Sequence, residues 1–260
     1  MKKEKITICL IAAVLFIAAG QGFGWTQFNN GVTQDVNYQL NDDVWVDYYY
    51  QAPFMQTIVN LLKGGNIPSP YTLQGFNNSR INISGGTINF LQTYNSSQVT
   101  MSSGTVNYLQ TYNSSQVTMS GGTVNHLQTY GSSQVTMSGG TVNDMQTNDS
   151  SQVTMSGSQV SKNFSASGSS QITISGGKIG GRFLLGTSAN SSATLIIHGS
   201  NFAIDGRPVS PGKIISIISI FGGGCENEPH RRLTGTLANG DIINSQVKIG
   251  YDAKIFLIRD

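Results

Sequence analysis

A near-identical 18-residue repeat across residues 80–157 constrains the fold of this 260-residue chain more than any other feature. Four copies follow one another, RINISGGTINFLQTYNSS, QVTMSSGTVNYLQTYNSS, QVTMSGGTVNHLQTYGSS and QVTMSGGTVNDMQTNDSS, and QVTMSG begins a fifth. Self-similarity at a short, fixed period is the signature of a solenoid, in which each repeat forms one coil that stacks on the next. The repeat therefore predicts a stack of coils across this segment.

The pattern inside one repeat predicts short β-strands joined by corners. In residues 98–115 the apolar side chains of Val99 and Met101 alternate with polar ones, which is the period of a half-buried strand. A glycine-containing corner follows, then a strand with Val106 pointing inward and a third strand centred on Leu109. One coil buries too little apolar surface to fold alone, so parallel pairing with neighbouring coils has to stabilise the array.

Two positions of the repeat indicate local geometry. The position after the tyrosine holds residues that tolerate the left-handed backbone region, so we expect positive φ angles there. These residues are Asn95, Asn113, Gly131 and Asp149. Another position changes freely from copy to copy and should face solvent; it holds Phe90, Tyr108, His126 and Asp144. We therefore interpret the isolated His126 as a surface residue, not a ligand.

These patterns predict an all-β fold, a single-stranded right-handed parallel β-helix with coils of about 18 residues and β-rich caps at both ends. We divide the chain into four segments. They are a signal peptide (1–24), N-terminal cap strands (25–57), β-helix repeats (58–192), and C-terminal coils with a cap (193–260). The repeat segment accommodates seven coils, with Leu62 of the degenerate first coil aligned to Met119 of a regular one.

The amino terminus is typical of a secretory signal peptide. Lys2, Lys3 and Lys5 precede a mostly apolar run over residues 6–19, which is short for a membrane span, and small residues follow it. After removal of residues 1–24, the chain has 12 basic and 12 acidic residues and only one cysteine, Cys225. This balance predicts no nucleic-acid partner, and we expect no membrane span after cleavage.

Acidic residues suggest two candidate chemical sites, both weaker than a structural interpretation. Asp42, Asp43 and Asp47 form the densest acidic group, and carboxylates can act as acid–base catalysts or bind hard cations. No partner residues accompany them, so a solvated strand or turn is the better interpretation. The loop 226–232 combines Glu226 and Glu228 with a histidine and two arginines. We predict no catalytic residue, no metal site and no cofactor.

The sequence also resembles a known group of proteins. The SGG-type corners resemble those of secreted bacterial parallel β-helix proteins, including adhesin-like and autotransporter-passenger-like chains. The tail segments HGSNFAIDGRPVSPGKI and RRLTGTLANG are similar to members of a secreted β-helix group that has no assigned activity. The resemblance implies secretion, with a location in the medium, in a periplasm or on the cell surface.

The repeats lead to a functional hypothesis of binding without catalysis. Equal side chains in stacked coils form ladders, and an uncharged ladder of hydroxyls and aromatic rings suits a polysaccharide or a cell-surface component. The candidate ligand-binding residues are Tyr94, Tyr112, Tyr130, Thr100, Thr118 and Thr136. Of these, the tyrosines are the better candidates, because tyrosine offers an apolar face together with a hydroxyl.

Three alternatives are weighed against this hypothesis. A polysaccharide lyase or hydrolase needs carboxylates that converge on one face, and the regular coils lack them. Ice binding through threonine rows needs evenly repeated groups, whereas serine occupies the partner position here and the spacing is expected to drift. A calcium-binding nonapeptide solenoid is excluded, because its glycine- and aspartate-rich repeat is absent.

Overall fold

A computed structural model describes residues 25–48, 55–186, 191–210, 212, 214–216, 230–250 and 252–259, with the side chains of 214–216 left aside. The predicted signal peptide and Cys225 lie outside these residues. Over the described part the chain is all-β, and parallel strands about 18 residues apart stack into a β-solenoid of about nine turns. At a strand spacing of about 4.8 Å the stack is roughly 40–45 Å long.

One continuous column of parallel strands forms the first side of the solenoid. Each strand pairs in register with the strand one coil before it, so that Val117 lies between Val99 and Val135. The strands are β2 (Thr33–Val36), β4 (Ile58–Leu61), β6 (Arg80–Ile83), β8 (Gln98–Met101), β10 (Gln116–Met119), β12 (Gln134–Met137), β14 (Gln152–Val160), β16 (Gln171–Ile179), β18 (Thr194–Ile204) and β23 (Lys254–Ile258). The final parts of β14 and β16 continue past the corner onto the second side.

In the regular coils, one seven-residue strand supplies both the second and the third side, with buried residues on either side of an outward-pointing pair. In β9, Val106 and Leu109 are both buried, while Asn107 and Tyr108 between them point outward. The strands are β1 (Trp25–Phe28), β3 (Asp43–Val46), β5 (Asn66–Gly75), β7 (Thr87–Thr93), β9 (Thr105–Thr111), β11 (Thr123–Thr129), β13 (Thr141–Thr147), β15 (Phe164–Ala166), β17 (Arg182–Leu185) and β22 (Ile242–Ile249). Their parallel register runs from Trp25 beside Asp43 to Arg182 beside Gln246.

The core is a set of apolar columns that run through the whole stack. Val99, Val117, Val135 and Val153 are each at most 3% exposed, as the register predicts. Leucine, methionine and isoleucine columns flank them, and the column of the third side includes the tilted pair Phe164 and Phe183. The alternation of buried and exposed residues along β10 confirms which face of that strand is inward.

Two corners depend on the left-handed backbone region. The predicted positive φ angles are confirmed at Asn95, Asn113, Gly131 and Asp149, with values of 56–68°. At the other corner the glycines Gly86, Gly104, Gly122 and Gly140 have φ angles of 71–82°. A Cβ at Gly122 would lie 2.9 Å from backbone atoms of both Ser103 and Gly104 in the preceding coil, so this corner requires glycine for space as well as for conformation.

Pairs of buried hydroxyl groups, which were not predicted from the sequence, connect neighbouring coils at the corner beside the tyrosines. Thr111 Oγ1 donates to Ser133 Oγ at 2.9 Å, and Thr93 Oγ1 donates to Ser115 Oγ at 3.2 Å. The Thr129 and Ser151 hydroxyls repeat the contact at 2.8 Å. These side chains are fully buried, and in each pair the neighbouring coil supplies a hydrogen-bond partner.

The amino-terminal strands extend the stack. Residues 25–57 were expected to form strands that cover the first coil. Strands are found at residues 25–28, 33–36 and 43–46, but they pair in parallel with β3, β4 and β5 and thus add to the columns. The alignment of the first coil was wrong by one residue, because Leu61, and not Leu62, pairs in the Met101 and Met119 column. The corner after Leu61 is one residue longer than in the regular coils.

The carboxy-terminal segment combines coils with antiparallel strands. β18, β22 and β23 continue the parallel columns. Antiparallel strands then lie against them: β19 (Arg207–Pro208), β20 (Ile214–Ser216) and β21 (Arg231–Leu237). A turn at Asn239-Gly240 joins β21 to β22, and the two strands pair as an antiparallel hairpin. Antiparallel pairing of this kind occupies strand edges that would otherwise end the stack unpaired.

Candidate binding faces

The outer surface of the first column is an uncharged face of glutamine and threonine rows. Its eight defining side chains, called here the glutamine–threonine face, are Gln98, Gln116, Gln134, Gln152, Thr100, Thr118, Thr136 and Thr154. They stack directly above one another in consecutive strands. All four threonines and three of the four glutamines are exposed. The parallel ladder places equal groups about 4.8 Å apart along the axis.

The threonine hydroxyls of this face make no hydrogen bonds within the part of the chain that the structure describes. Among the described residues, none hydrogen-bonds to the hydroxyl of Thr100, Thr118 or Thr136, and the glutamine row has one such contact, from Arg80 to Gln98 at 3.0 Å. Threonine hydroxyls can both donate and accept, and glutamine amides supply two donors and an acceptor. The face therefore offers a regular array of groups that are available to a ligand.

The tyrosine row Tyr94, Tyr112 and Tyr130 lies at the corner after the third side and is already engaged. Its rings stack at centroid distances of 5.0 and 5.1 Å with interplanar angles of 7° and 8°, and Phe76 extends the stack by one ring. Each hydroxyl donates to the glutamine two residues earlier in its own coil, as Tyr112 does to Gln110 at 3.2 Å. Neighbouring rings therefore cover the aromatic faces, and the ring edges remain for a ligand.

Burial raises the pKa of two phenols in this row. Partial burial raises the pKa of Tyr94, and for Tyr112 burial and then the neighbouring Tyr94 and Tyr130 raise the pKa. The hydroxyls of Tyr94 and Tyr112 therefore remain donors to Gln92 and Gln110 over the physiological pH range. The row is organised as a structural stack.

Replacing Tyr94, Tyr112 and Tyr130 together by serine is expected to lower stability and to leave ligand binding nearly unchanged. Each stacked contact contributes about 0.5–1.5 kcal/mol beyond the apolar area that it buries. Thermal melts and polysaccharide titrations of the triple variant check the two halves of this prediction. A stable variant that has lost binding would instead assign the ligand to the tyrosine row.

Internal amide ladders occupy two further outward rows of the regular coils. On the third side, the side-chain amide of Gln92 donates to Gln110 at 2.8 Å, and Gln110 donates to Gln128 at 2.8 Å. On the second side, Asn107 donates to Asn89 at 3.1 Å, and Asn125 donates to Asn107 at 2.8 Å. These amides hydrogen-bond one another along the stack, whereas the threonine hydroxyls of the glutamine–threonine face do not.

The variable position forms a second outward row, as expected. Phe90, Tyr108 and His126 stack at 4.7 and 4.8 Å, and none of the three is buried. The next residue of the row is the charged Asp144. Its Oδ2 lies 3.9 Å from Nδ1 of His126 and 3.6 Å from Nζ of Lys162. His126 is thus a stacked surface residue.

The amino-terminal aspartates have separate structural partners. Asp42 accepts a hydrogen bond from the Thr26 hydroxyl at 3.1 Å, and Asp43 accepts one from the backbone N–H of Thr72 at 2.8 Å. Asp47 is buried with a φ of 55° and accepts from the N–H of Thr57 at 2.9 Å. Within the described part of the chain, no three His, Cys, Asp or Glu residues are grouped so as to hold a metal ion.

Only part of the candidate loop 226–232 can be placed. Glu226 and Glu228 lie outside the described residues, whereas Arg231 and Arg232 belong to β21. Arg231 donates to Asp205 at 2.9 Å, and Arg232 Nε donates to Asn244 at 2.7 Å. The backbone N–H of Arg232, followed by the Arg231 side chain, lowers the pKa of Asp205.

The six predicted ligand residues therefore fall on two separate surfaces. The threonines lie on the first side, and their hydroxyls make no hydrogen bond within the described residues. The tyrosines lie where the third side ends and the corner to the first side begins, and their rings stack on one another. No described helix is long and apolar enough to cross a bilayer. No protein-family model, curated protein or solved structure matches this chain.

Proposed function

We propose that the mature protein is a secreted, non-enzymatic binding module of the adhesin-like kind, located at the cell surface, in a periplasm or in the medium. Its partner is a polysaccharide or another cell-surface component, and contact is made through the glutamine–threonine face. The observation that supports this proposal is a difference in side-chain hydrogen bonding between the sides of the solenoid. The hydroxyls of Thr100, Thr118 and Thr136 are exposed and have no hydrogen-bond partner among the described residues, while the glutamine ladder of the third side and the asparagine ladder of the second side are hydrogen-bonded internally.

The geometry favours a repeating ligand. Single hydroxyl contacts are weak, since each net hydrogen bond contributes only about 0.5–1.5 kcal/mol. A polymer that engages several equally spaced groups gains more, because each further contact forms at a high effective concentration. A flat face without charge, repeated over at least four coils, suits sugar hydroxyls better than it suits an ionic partner.

A polysaccharide lyase or hydrolase remains the competing function. Such enzymes require two carboxylates with distinct roles near one bond. In the regular coils, the only carboxylates are Asp144, which contacts Lys162, and Asp149, which accepts from the N–H of Gly131. Neither aspartate, with the partner named, resembles the acid–base pair of a glycosidase or lyase. The described coils therefore support a binding function better than a catalytic one.

Ice binding is a second candidate that one observation favours. The expected drift in spacing is absent, since Thr100, Thr118, Thr136, Thr154 and Thr173 occupy one register in consecutive strands. A thermal-hysteresis measurement on the mature protein tests this candidate directly. Hysteresis that disappears when valine replaces Thr118 and Thr136 would assign the face to ice instead of a glycan.

A glycan array combined with a turnover assay tests the proposed function. The mature chain should retain a set of polysaccharides and release no new reducing or unsaturated ends from them. Glu226→Gln and Glu228→Gln variants serve as controls and should behave as the parent protein does. Turnover that either substitution abolishes would overturn the non-enzymatic proposal, and retention of no glycan at all would reject the partner class.

A further inference from the structure

Charge is distributed unevenly along the solenoid. Residues 25–79 hold four acidic residues and one basic residue, and residues 80–157 hold one basic and two acidic residues. Residues 158–260 hold ten basic and six acidic residues. Residues 25–260 are neutral as a whole, but their carboxy-terminal region is basic, and the fold determines which of these cations lie close together.

Three strands bring cations from distant parts of the chain onto one outer surface. Arg182 of β17 pairs with Gln246 of β22, and Gln246 pairs on its other side with Arg232 of β21. Lys248 follows two residues after Gln246 and therefore points to the same side, near His230, which immediately precedes β21. Arg182 and Arg232 are exposed, and Lys248 and His230 are half-buried. These four residues are called the basic cluster.

The cluster lacks compensating negative charge within the described residues. Asp205, in the turn directly after β18, is bound to Arg231 and to the backbone N–H of Arg232. Arg182 and Lys248 form no ion pair with a described carboxylate. Burial and then the nearby charges of Arg182 and Lys248 lower the pKa of His230.

We propose that the basic cluster binds the carboxylate groups of an acidic polysaccharide. The guanidinium of Arg182 can bind a carboxylate through two parallel hydrogen bonds, and Lys248 supplies a point charge beside it. The cations span three adjacent strands, roughly 10 Å, which exceeds the reach of one carboxylate and fits successive groups of a polymer. Single-stranded nucleic acid would call for aromatic platforms between the cations, and the stacked aromatic row ends at His126, several coils away.

This site lies on the third side of the solenoid, so it stands apart from the proposed function of the glutamine–threonine face. A polymer that carries both charged and neutral stretches could engage both surfaces. The two surfaces are separable by substitution, because their residues share no contact in the described structure.

The test compares one polymer in two charge states. Polygalacturonate and its methyl-esterified form are titrated against the mature protein by calorimetry at low and high salt. The double variant Arg182→Gln/Lys248→Gln is compared with Lys178→Gln/Lys254→Gln, which removes the same charge from other exposed surfaces. We expect polygalacturonate to bind more tightly than its ester, salt to weaken it, and the first variant to bind about tenfold or more weakly while the control does not.

Three results would overturn the proposal. These are equal affinity for the two polymers, an equal loss in both double variants, and tighter binding of single-stranded DNA than of polygalacturonate. Melting temperatures of both variants should match that of the parent chain, since all four substituted side chains point outward. Retention of a neutral glycan alongside a failure of polygalacturonate would reject the basic cluster while leaving the proposed function intact.

Discussion

Val117→Asp is expected to cause the largest loss of stability of any substitution considered in the regular coils. Val117 is 3% exposed and lies between Val99 and Val135 in the inward column. An aspartate there would leave a charge without a partner, which costs about 3–5 kcal/mol, or would be protonated at comparable expense. For a chain of this size the loss lowers the melting temperature by roughly 6–20 °C.

Thr118→Asp is the matched control for that change. Thr118 is the next residue along the same strand, is exposed, and has no carboxylate in the neighbouring rows of β8 and β12. The unfavourable strand propensity of aspartate costs at most about 1 kcal/mol. Parallel melts of the two variants check the prediction, and similar destabilisation by both would mean that the inward and outward faces have been assigned wrongly.

Gly122→Ala is the second substitution with a large expected effect. The φ of Gly122 is 81°, so an alanine there adopts the left-handed region at a cost of about 1–2 kcal/mol. Its Cβ would also lie 2.5 Å from Met101 Cε and 2.9 Å from the backbone oxygen of Gly104. Crowding of this kind typically adds about 1–3 kcal/mol, because the stacked coils leave little room to relax.

Asn113→Gly tests the same backbone conformation without the crowding. Asn113 has a φ of 59° at an exposed corner, and glycine adopts this region freely. Loss of the contact from Asn113 to Asn95 at 3.1 Å is the main change, so chemical denaturation should show less than about 1 kcal/mol of difference. A Gly122→Ala protein as stable as the parent would show that the corner tolerates a side chain and that the stacking distances are less constrained than described.

Most of the fold could be predicted from the sequence, because the repeat states the same information many times. The inward position of Val117, the exposed position of Tyr108 and the positive φ of Asn113 each follow from several aligned copies. The irregular first coil carried no such redundancy. There, a corner one residue longer than usual moved Leu61 into the position assigned to Leu62.

The remaining differences involve contacts between coils, which a single repeat does not encode. Thr111 looks like another outward polar residue until Ser133, 22 residues later, supplies a buried partner for its hydroxyl. The alternation of Leu109 and Thr111 was the available signal, since residues two apart on a strand share a face. Likewise, stacking at 5.0 Å covers the ring faces of the tyrosine row, and no property of an isolated tyrosine indicates that.

The basic cluster shows the same limitation on a larger scale. Arg182 and Lys248 are 66 positions apart in the sequence. They lie close together because β22 pairs directly with β17 on the third side of the solenoid. A sequence analysis that follows the regular repeats has no basis for that pairing, because the intervening segment contains the antiparallel strands. Function in such a solenoid therefore has to be located from the register between strands.

The most direct test of the central claim is a calorimetric titration of the double variant Thr118→Val/Thr136→Val with the polysaccharide that the mature protein retains. Valine keeps the shape and the strand propensity while removing the two free hydroxyls of the glutamine–threonine face. Thr105→Val/Thr123→Val, on the second side, is the matched control. We predict a roughly two- to tenfold loss of affinity per hydroxyl in the first variant and none in the control. Unchanged affinity in the first variant, with its fold intact, would contradict the claim that this face binds the ligand.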